Sequence, residues 1–349
     1  MNARMLPRSA ARRGRGGTRW GDGPGVRAAD GIYVGRRRFD GMTKRGVDTP
    51  TDPEEAFLTL SNDLRLGILL ALWEAPGYSL SFSELRKAVG ERDSGTFTYH
   101  LDELVGHFVE ETDDGYELQY PGHRVLDAIR SGVFHQRGTV GPVDLEADCP
   151  DCDAPLSFTY DTDYVGRVGC SACGERVLEW PFDPGGVADR TPREVAAAFD
   201  RRTRLFWRCA LDGVCPFCAG RVDRTLVGAA GPTGPCVGVV EDLDRYDEHF
   251  ARDHPAVVDL DCRRCSFYSF VPVGVVLLTR PRVTGRLCDR GLDVRETPLW
   301  ALGFVVDATA VSRREADPTA VAVTADPPDG APLTVSIDAA FSVASATDR

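Results

Sequence analysis

Lysine is almost missing from this chain: only Lys44 and Lys87 occur, and arginine supplies every other one of the 41 basic residues. Long apolar runs are missing as well. The longest, Val271 to Leu278, is broken by Pro272 and Gly274. A membrane span needs roughly 18 consecutive apolar residues, so no membrane partner is expected. The arginine clusters Arg12-Arg13 and Arg36-Arg37-Arg38 are followed by no apolar stretch of the kind a secretion leader carries, and a cytoplasmic location is expected. No glycine-rich phosphate loop, nucleophile elbow or HExxH helix occurs, and no cluster of residues suggests acid–base catalysis; an enzyme is not expected. Cysteine is absent from residues 50–148, which excludes a thiol metal site from that stretch.

What is present is acid. The 53 acidic residues give a formal net charge of −12, unevenly spread: residues 1–45 hold 12 basic and 3 acidic residues, leaving 29 basic and 50 acidic for the remainder. An acidic, lysine-poor body rich in Ala, Gly, Val and Asp matches the composition of proteins from extreme halophiles. There, molar salt shortens the Debye length to roughly 3 Å and self-repulsion becomes tolerable. An acidic protein from a GC-rich genome has the same composition. Residues 1–49 are rich in Gly and Arg without apolar periodicity, and are expected to form a disordered basic extension. Two readings of it stay open: an arm that contacts nucleic-acid phosphates, or a stretch upstream of a true start at Met42.

From Pro53 the pattern turns helical. Ala56, Phe57, Leu60, Leu64, Ile68, Leu69 and Leu72 recur mostly three or four residues apart, as a buried helical stripe requires. Ser61-Asn62-Asp63 interrupts them with capping chemistry, so a short helix hands over to a second one from Leu64 to Glu74. Ser81 and Glu84 form a capping box that opens a helix through Val89. Ser94 can cap the next, with Phe97, Leu101, Leu104 and Val105 inward. Phe108 to Thr112 and Tyr116 to Leu118 flank Asp113-Asp114-Gly115 as a hairpin. A last helix is expected from Arg124 to Phe134. Two helices, a recognition helix, a hairpin and a helix make the plan of a winged helix-turn-helix over residues 50–136.

The stretches LSNDLRLGILL (Leu60 to Leu70) and SGTFTYHLDEL (Ser94 to Leu104), with Val109 and the Gly115-Tyr116 wing, resemble ArsR-like winged-helix regulators. The chain is especially similar to a haloarchaeal branch that carries a C-terminal Cys-rich domain. The resemblance covers residues 53–134 well and the rest loosely. It implies binding of double-stranded DNA as a homodimer, with the recognition helix in the major groove. Carried over by position, the outward side chains are Ser94, Thr96, Thr98, Tyr99 and His100; for Tyr99 and His100, packing within the domain stays open. Arg65, Arg86, Lys87, Arg92 and Arg124 are the cations that could hold phosphates. The chain departs from a DNA-facing wing in one respect: Glu110, Glu111, Asp113, Asp114 and Glu117 make the hairpin acidic, and molar salt would screen that repulsion.

The eleven cysteines argue for metal rather than disulfides in a reducing compartment. Cys149-x2-Cys152 and Cys170-x2-Cys173 stand 17 residues apart, the spacing of a four-thiolate zinc site. Leu156 to Tyr160 and Arg176 to Trp180 alternate as strands do, so residues 145–183 are expected to form a zinc ribbon. Cys215-x2-Cys218 and Cys262-x2-Cys265 stand 43 residues apart and form a looser second zinc set, in which His249 or His254 could replace a thiolate or, on the preferred reading, simply lie on the surface of Arg245 to His254. Cys209, Cys236 and Cys288 lack partner spacing and are expected to be buried small hydrophobes.

Between the sets, Thr191, Pro192 and Glu194 open a helix that runs to about Cys209. It either packs between the cysteine modules or supports dimerisation. Beyond Cys265, Phe267 to Val271, Val321 to Thr324 and Leu333 to Ile337 read as strands, the last two joined at Asp329-Gly330. The fold expected is thus α+β: a winged helix-turn-helix, a central zinc ribbon and a mixed α/β domain over residues 190–349 with the second CxxC pair. The function expected is a DNA-binding transcription regulator with two structural zinc ions supporting an effector or partner surface. The alternative is a protein-interaction module of the transcription machinery without sequence-specific DNA binding.

Overall fold

The computed structural model describes residues 52–228, 255–314 and 317–348. The basic extension, Cys236, His249 and His254 lie outside them. Among the described residues the chain is mixed α+β, with nine α-helices and four antiparallel sheets. No single helix among them is long and apolar enough to cross a membrane.

The N-terminal elements form where capping chemistry places them. Asp52 caps α1 (Pro53–Leu60) and Asn62 caps α2 (Asp63–Glu74), its Oδ1 accepting from the amides of Leu64 and Arg65. The reciprocal Ser81–Glu84 box opens α3 (Phe82–Ala88). The next helix, α4 (Ser94–Asp102), is capped by Asp93, whose carboxylate accepts from the Thr96 amide. Ser94, expected as the cap, is instead the first helical residue; Asp93 is the better acceptor because the positive helix end favours a full negative charge. Strands β1 (Ser79–Leu80), β2 (Val109–Thr112) and β3 (Gly115–Leu118) pair in the order β1-β3-β2. Helix α5 spans Tyr120–Arg130, not Arg124 to Phe134. Pro121 and Gly122 look like breakers, yet Pro121 sits in the first turn, where no amide is required. Gly122 is needed for close approach: a Cβ there would lie 2.6 Å from the Phe108 carbonyl. These elements enclose their own core, with Ile68, Leu69, Leu72, Leu85, Phe97, Leu101, Leu104 and Leu126 buried.

After α5 come β4 (Val140–Asp148), β5 (Pro155–Tyr160), β6 (Val165–Cys170) and β7 (Arg176–Pro181), paired in sequence order. Helix α6 (Pro192–Leu211) follows, opened by the Thr191–Glu194 box. A second sheet then joins β8 (Val222–Gly228), β9 (Ala256–Cys262) and β10 (Tyr268–Pro272) in the order β10-β9-β8. Three short helices, α7 (Val275–Leu278), α8 (Pro281–Cys288) and α9 (Gly303–Val306), lead to the last sheet, β11 (Val311–Arg314), β12 (Asp317–Ala325), β13 (Leu333–Ile337) and β14 (Val343–Asp348). The expected hairpin is there: Val321 pairs with Ile337 and Ala325 with Leu333 around Asp329-Gly330.

Segments 145–183 and 190–349 do not bury separate interiors. One apolar cluster runs from Leu156 and Phe158 through Phe199 and Phe206 to Val258, Leu302 and Val335. Helix α6 is what joins them. Its buried Val195, Phe199, Thr203, Phe206 and Ala210 form one stripe at helical spacing. Phe199 lies 5.2 Å from Phe158, and Trp207 lies 5.8 Å from Trp180, between ring centres. Of the two roles expected for this helix, the packing one is thus seen within the chain.

The seat of Phe199 depends on Gly166, where an added Cβ would meet the ring at 2.5 Å. Gly166→Ala is expected to lower stability by about 1–3 kcal/mol through overpacking. Gly285→Ala, in α8 with nothing within 4 Å of the new methyl, is expected to raise it by about 0.5–1 kcal/mol. Thermal melts of the two variants beside the parent chain check both signs.

Candidate functional site

The cysteines gather as two sets of four. Cys149, Cys152, Cys170 and Cys173 form one, and Cys215, Cys218, Cys262 and Cys265 the other; within each set all sulfurs lie within 4.8 Å of one another. The closest approaches, Cys149–Cys173, Cys152–Cys170, Cys215–Cys265 and Cys218–Cys262, are each 3.6 Å between Sγ atoms. Disulfide sulfurs sit at about 2.05 Å, so these are thiols. A regular tetrahedron with arms of about 2.3 Å, the zinc–thiolate length, has edges of about 3.8 Å. The donor set and its spacing therefore fit a four-coordinate metal ion such as zinc, and both sets could bind one.

Local backbone geometry explains how each sulfur is aimed. In three of the four knuckles the first cysteine's amide donates to the carbonyl five residues on, and its carbonyl accepts from the amide four residues on. These bonds are Cys149 to Ala154 and from Asp153, Cys170 to Glu175 and from Gly174, and Cys215 to Gly220 and from Ala219, at 2.8–3.0 Å. The fourth keeps the first of them, Cys262 to Phe267 at 2.9 Å. Asp153, Gly174 and Ala219 adopt positive φ, which turns the chain back so that both sulfurs face one point. Amides left over then point at sulfur: Arg264 N–H donates to Cys262 Sγ at 3.3 Å and Gly220 N–H to Cys218 Sγ at 3.4 Å.

The two centres are copies of one plan. Leu156, seven residues after Cys149, pairs with Cys170; Val222, seven residues after Cys215, pairs with Cys262. Gly169 pairs with Arg176 and Asp261 with Tyr268, and the strands close at Val165–Pro181 and Val257–Pro272. A bulge beside Gly169 is the one slip between them. The electrostatics repeat too. The amide of Cys173 draws the Cys170 thiol down to about 7. At the matching position Cys262, burial is outweighed by the amides of Cys265 and Arg264 and the thiol is again lowered. Burial pushes Cys149 and Cys215 up. One thiol per centre is thus held below the ordinary thiol range, which favours the thiolate that a metal ion takes. Unequal spacings of 17 and 43 residues hid this duplication in the sequence; the shared Cys-Pro-x-Cys of residues 149–152 and 215–218 was its visible trace. Strands β4 and β6 were also missed. Of the unpaired cysteines, Cys209 is half-buried and Cys288 exposed, so the expectation of buried hydrophobes fails for both.

The α4 surface divides its candidate residues. Ser94, Thr96, Thr98 and Tyr99 are exposed, and Phe97 and Leu101 are buried. Thr96 is engaged locally, its hydroxyl donating to Asp93 at 2.6 Å. His100 is half-buried, and its Nδ1 accepts from Arg65 Nε at 3.2 Å, which leaves the ring proton on Nε2. Arg65 is 8 % exposed. It also pairs with Glu103 at 3.2 Å, donates to the Thr59 carbonyl at 3.2 Å and lies 5.8 Å from the Tyr99 ring centre. It is a strut under the helix, not a free cation. Arg124 is paired with Asp127. The side chains of Arg86, Lys87 and Arg92 make no hydrogen bond or ion pair among the described residues.

Fold and site together define a mixed α+β protein with two four-cysteine centres. The chain belongs to the family described as a domain of unknown function, DUF7351, whose model matches residues 146–343, more than half of its length. Residues 53–129 match a second family model, likewise described as a domain of unknown function, DUF7347. No curated protein and no solved structure matches the chain.

Two equivalents of metal per chain are expected in protein purified without chelator, by elemental analysis. Cys170→Ala should lose one equivalent and Cys262→Ala the other, because three thiolates leave the ion with an open position. Loss of both equivalents from either variant, or retention of both, would contradict two independent centres.

Proposed function

We propose that this protein is a DNA-binding transcription regulator of ArsR-like type. Residues 53–130 act as a winged helix-turn-helix, with α3 and α4 as the helix pair and β2–β3 as the wing. Both four-cysteine centres hold zinc, the first as a zinc ribbon, and four thiolates leave no open coordination position for chemistry. The observation that carries the reading is the α4 face. Ser94, Thr98 and Tyr99 stand exposed opposite buried Phe97 and Leu101, while Arg86, Lys87 and Arg92 flank the helix start as cations suited to phosphate. Arg65 fixes the helix from below, so its outward residues are held in one orientation. Helix α1 supports a homodimer: it buries no residue of its own, and Phe57 is 76 % exposed.

A second reading, a protein-interaction module of the transcription machinery, draws on the wing. Glu110 stands directly opposite Glu117 across the hairpin, and like charges so placed repel as well as repelling duplex DNA. Tyr116 and Gln119 relieve part of this by donating to Glu111 at 3.2 Å and Glu110 at 3.5 Å. Near-molar salt removes most of the remainder.

Recovery and sequencing of genomic fragments bound to the metal-loaded protein in near-molar potassium chloride separates the readings. Discrete enriched loci are expected. Tyr99→Ala should weaken binding to such a locus by about 1–3 kcal/mol without lowering the melting temperature, since the ring is 57 % exposed. Retention of no duplex by the parent chain would remove the DNA reading and leave the interaction module.

A further inference from the structure

The C-terminal half holds a cleft whose chemistry neither metal centre uses. It encloses about 290 Å³ between α6, the α7–α8 corner and the segment that follows α8, and Arg204, Arg208 and Arg295 line it. Its remaining wall is largely apolar, built on Val275, Leu278 and Val294, and among the described residues no carboxylate lines it. That is unexpected on composition, because acidic residues outnumber basic ones 50 to 29 beyond residue 45. We propose that this cleft binds a small organic anion, its acidic head on Arg208 and its short apolar tail against Val275, Leu278 and Val294.

The three guanidiniums have different tasks. Arg204 is committed to the fold through all three of its nitrogens: Nε pairs with Asp200 at 2.8 Å, and the two terminal nitrogens donate to the carbonyls of Val294, at 2.7 Å, and Thr297. Asp200 in turn accepts from the Leu299 amide at 2.7 Å. This strut pins the segment from Val294 to Leu299 onto α6 and keeps the cleft open without a ligand. Arg295 shares its charge with Asp293, 3.4 Å away. Arg208 is exposed and, among the described residues, its side chain makes no hydrogen bond or ion pair. It therefore keeps all five donors for an incoming anion, and a planar fork accepts a carboxylate or phosphate in bidentate fashion. A predominantly apolar wall with one well-placed charged group is the usual make-up of a small-molecule site, and the volume stands at the lower end of the roughly 300–1,000 Å³ range of such sites. The tail must accordingly be short. This binding is independent of the DNA reading, and the site lies on α6, the helix that carries both cysteine modules.

Calorimetric titration of the metal-loaded full chain with hexanoate, hexyl phosphate, hexylamine and inorganic phosphate tests the site. Hexanoate or hexyl phosphate should bind, the tighter of the two assigning the head group, and hexylamine should not. Arg208→Ala is expected to weaken the anion by about tenfold or more, as the loss of a charge-assisted bidentate pair implies, with an unchanged melting temperature and metal content. Arg208→Lys should recover part of the affinity, because the charge returns without the fork. Equal binding of hexylamine, equal binding of inorganic phosphate and hexyl phosphate, or indifference to Arg208→Ala would each overturn the proposal. None of these readouts involves DNA, so failure here and failure to retain duplex are separate results.

Discussion

Sulfur packed against sulfur is the constraint behind the larger part of this molecule. Thiols at 3.6 Å gain little from one another, and two thiolates at that separation repel by about 4–5 kcal/mol at an effective dielectric of about 20. With a metal ion at each centre, as proposed above, the repulsion becomes four attractions. Apparent zinc binding energies in small domains are about 10–16 kcal/mol, as large as the whole net stability of an ordinary domain at about 5–15 kcal/mol. The strand register is set by the same points. Cys170 and Cys262 are at once ligand candidates and strand residues, paired with Leu156 and Val222. Moving either register by one residue would turn a buried sulfur to the other face of its sheet.

A duplicated unit needs something to join its copies, and α6 meets that need with aromatic side chains. Trp180 of the first module contacts Phe206 and Trp207 of the helix, at 6.1 and 5.8 Å, and Phe267 of the second module at 6.4 Å. Phe217, between the cysteines of its knuckle, meets the Phe206 ring at a tilt, 4.9 Å between centres. Each such pair adds roughly 0.5–1.5 kcal/mol beyond the area it buries. The chain thus packs both modules against a common helix. The opposite side of α6 carries Asp200, Arg204 and Arg208, so the helix that unites the modules also walls the arginine cleft.

The sequence disclosed most where the determinants are local. Capping residues at Asn62, Ser81 and Thr191, the apolar stripe through Ile68 and Leu72, and the Asp329-Gly330 turn each act within a few residues, and the helices and hairpins formed there. Both four-cysteine sets were legible for the same reason, since a knuckle is four residues long. Long-range determinants were not. Gly122 is required inside α5 because the Phe108 carbonyl lies against it. Arg65 reads as a surface cation until His100, Glu103 and Thr59 are seen around it. The equivalence of the two modules depends on register, which spacings of unequal length conceal. The common core of residues 146–343 depends on what α6 touches on each side, and its own pattern shows only that one face is apolar.

The acidity of the N-terminal unit ties its stability to its surroundings. Asp93 occupies the positive end of α4, where it satisfies the Thr96 amide and hydroxyl; the same carboxylate stands where a helix start could otherwise receive a phosphate. Glu110 opposite Glu117 adds repulsion within the β2–β3 hairpin. At low ionic strength both features oppose the proposed DNA contact, and the second also strains the hairpin. With a Debye length of about 3 Å in molar salt, each acts only over contact distance, and Arg86, Lys87 and Arg92 lose their long-range pull equally. Affinity under those conditions cannot come from counterion release. In the proposed regulator it would have to come from fit, a task for the side chains of Ser94, Thr98 and Tyr99 and for the buried Arg65 that holds their helix in place.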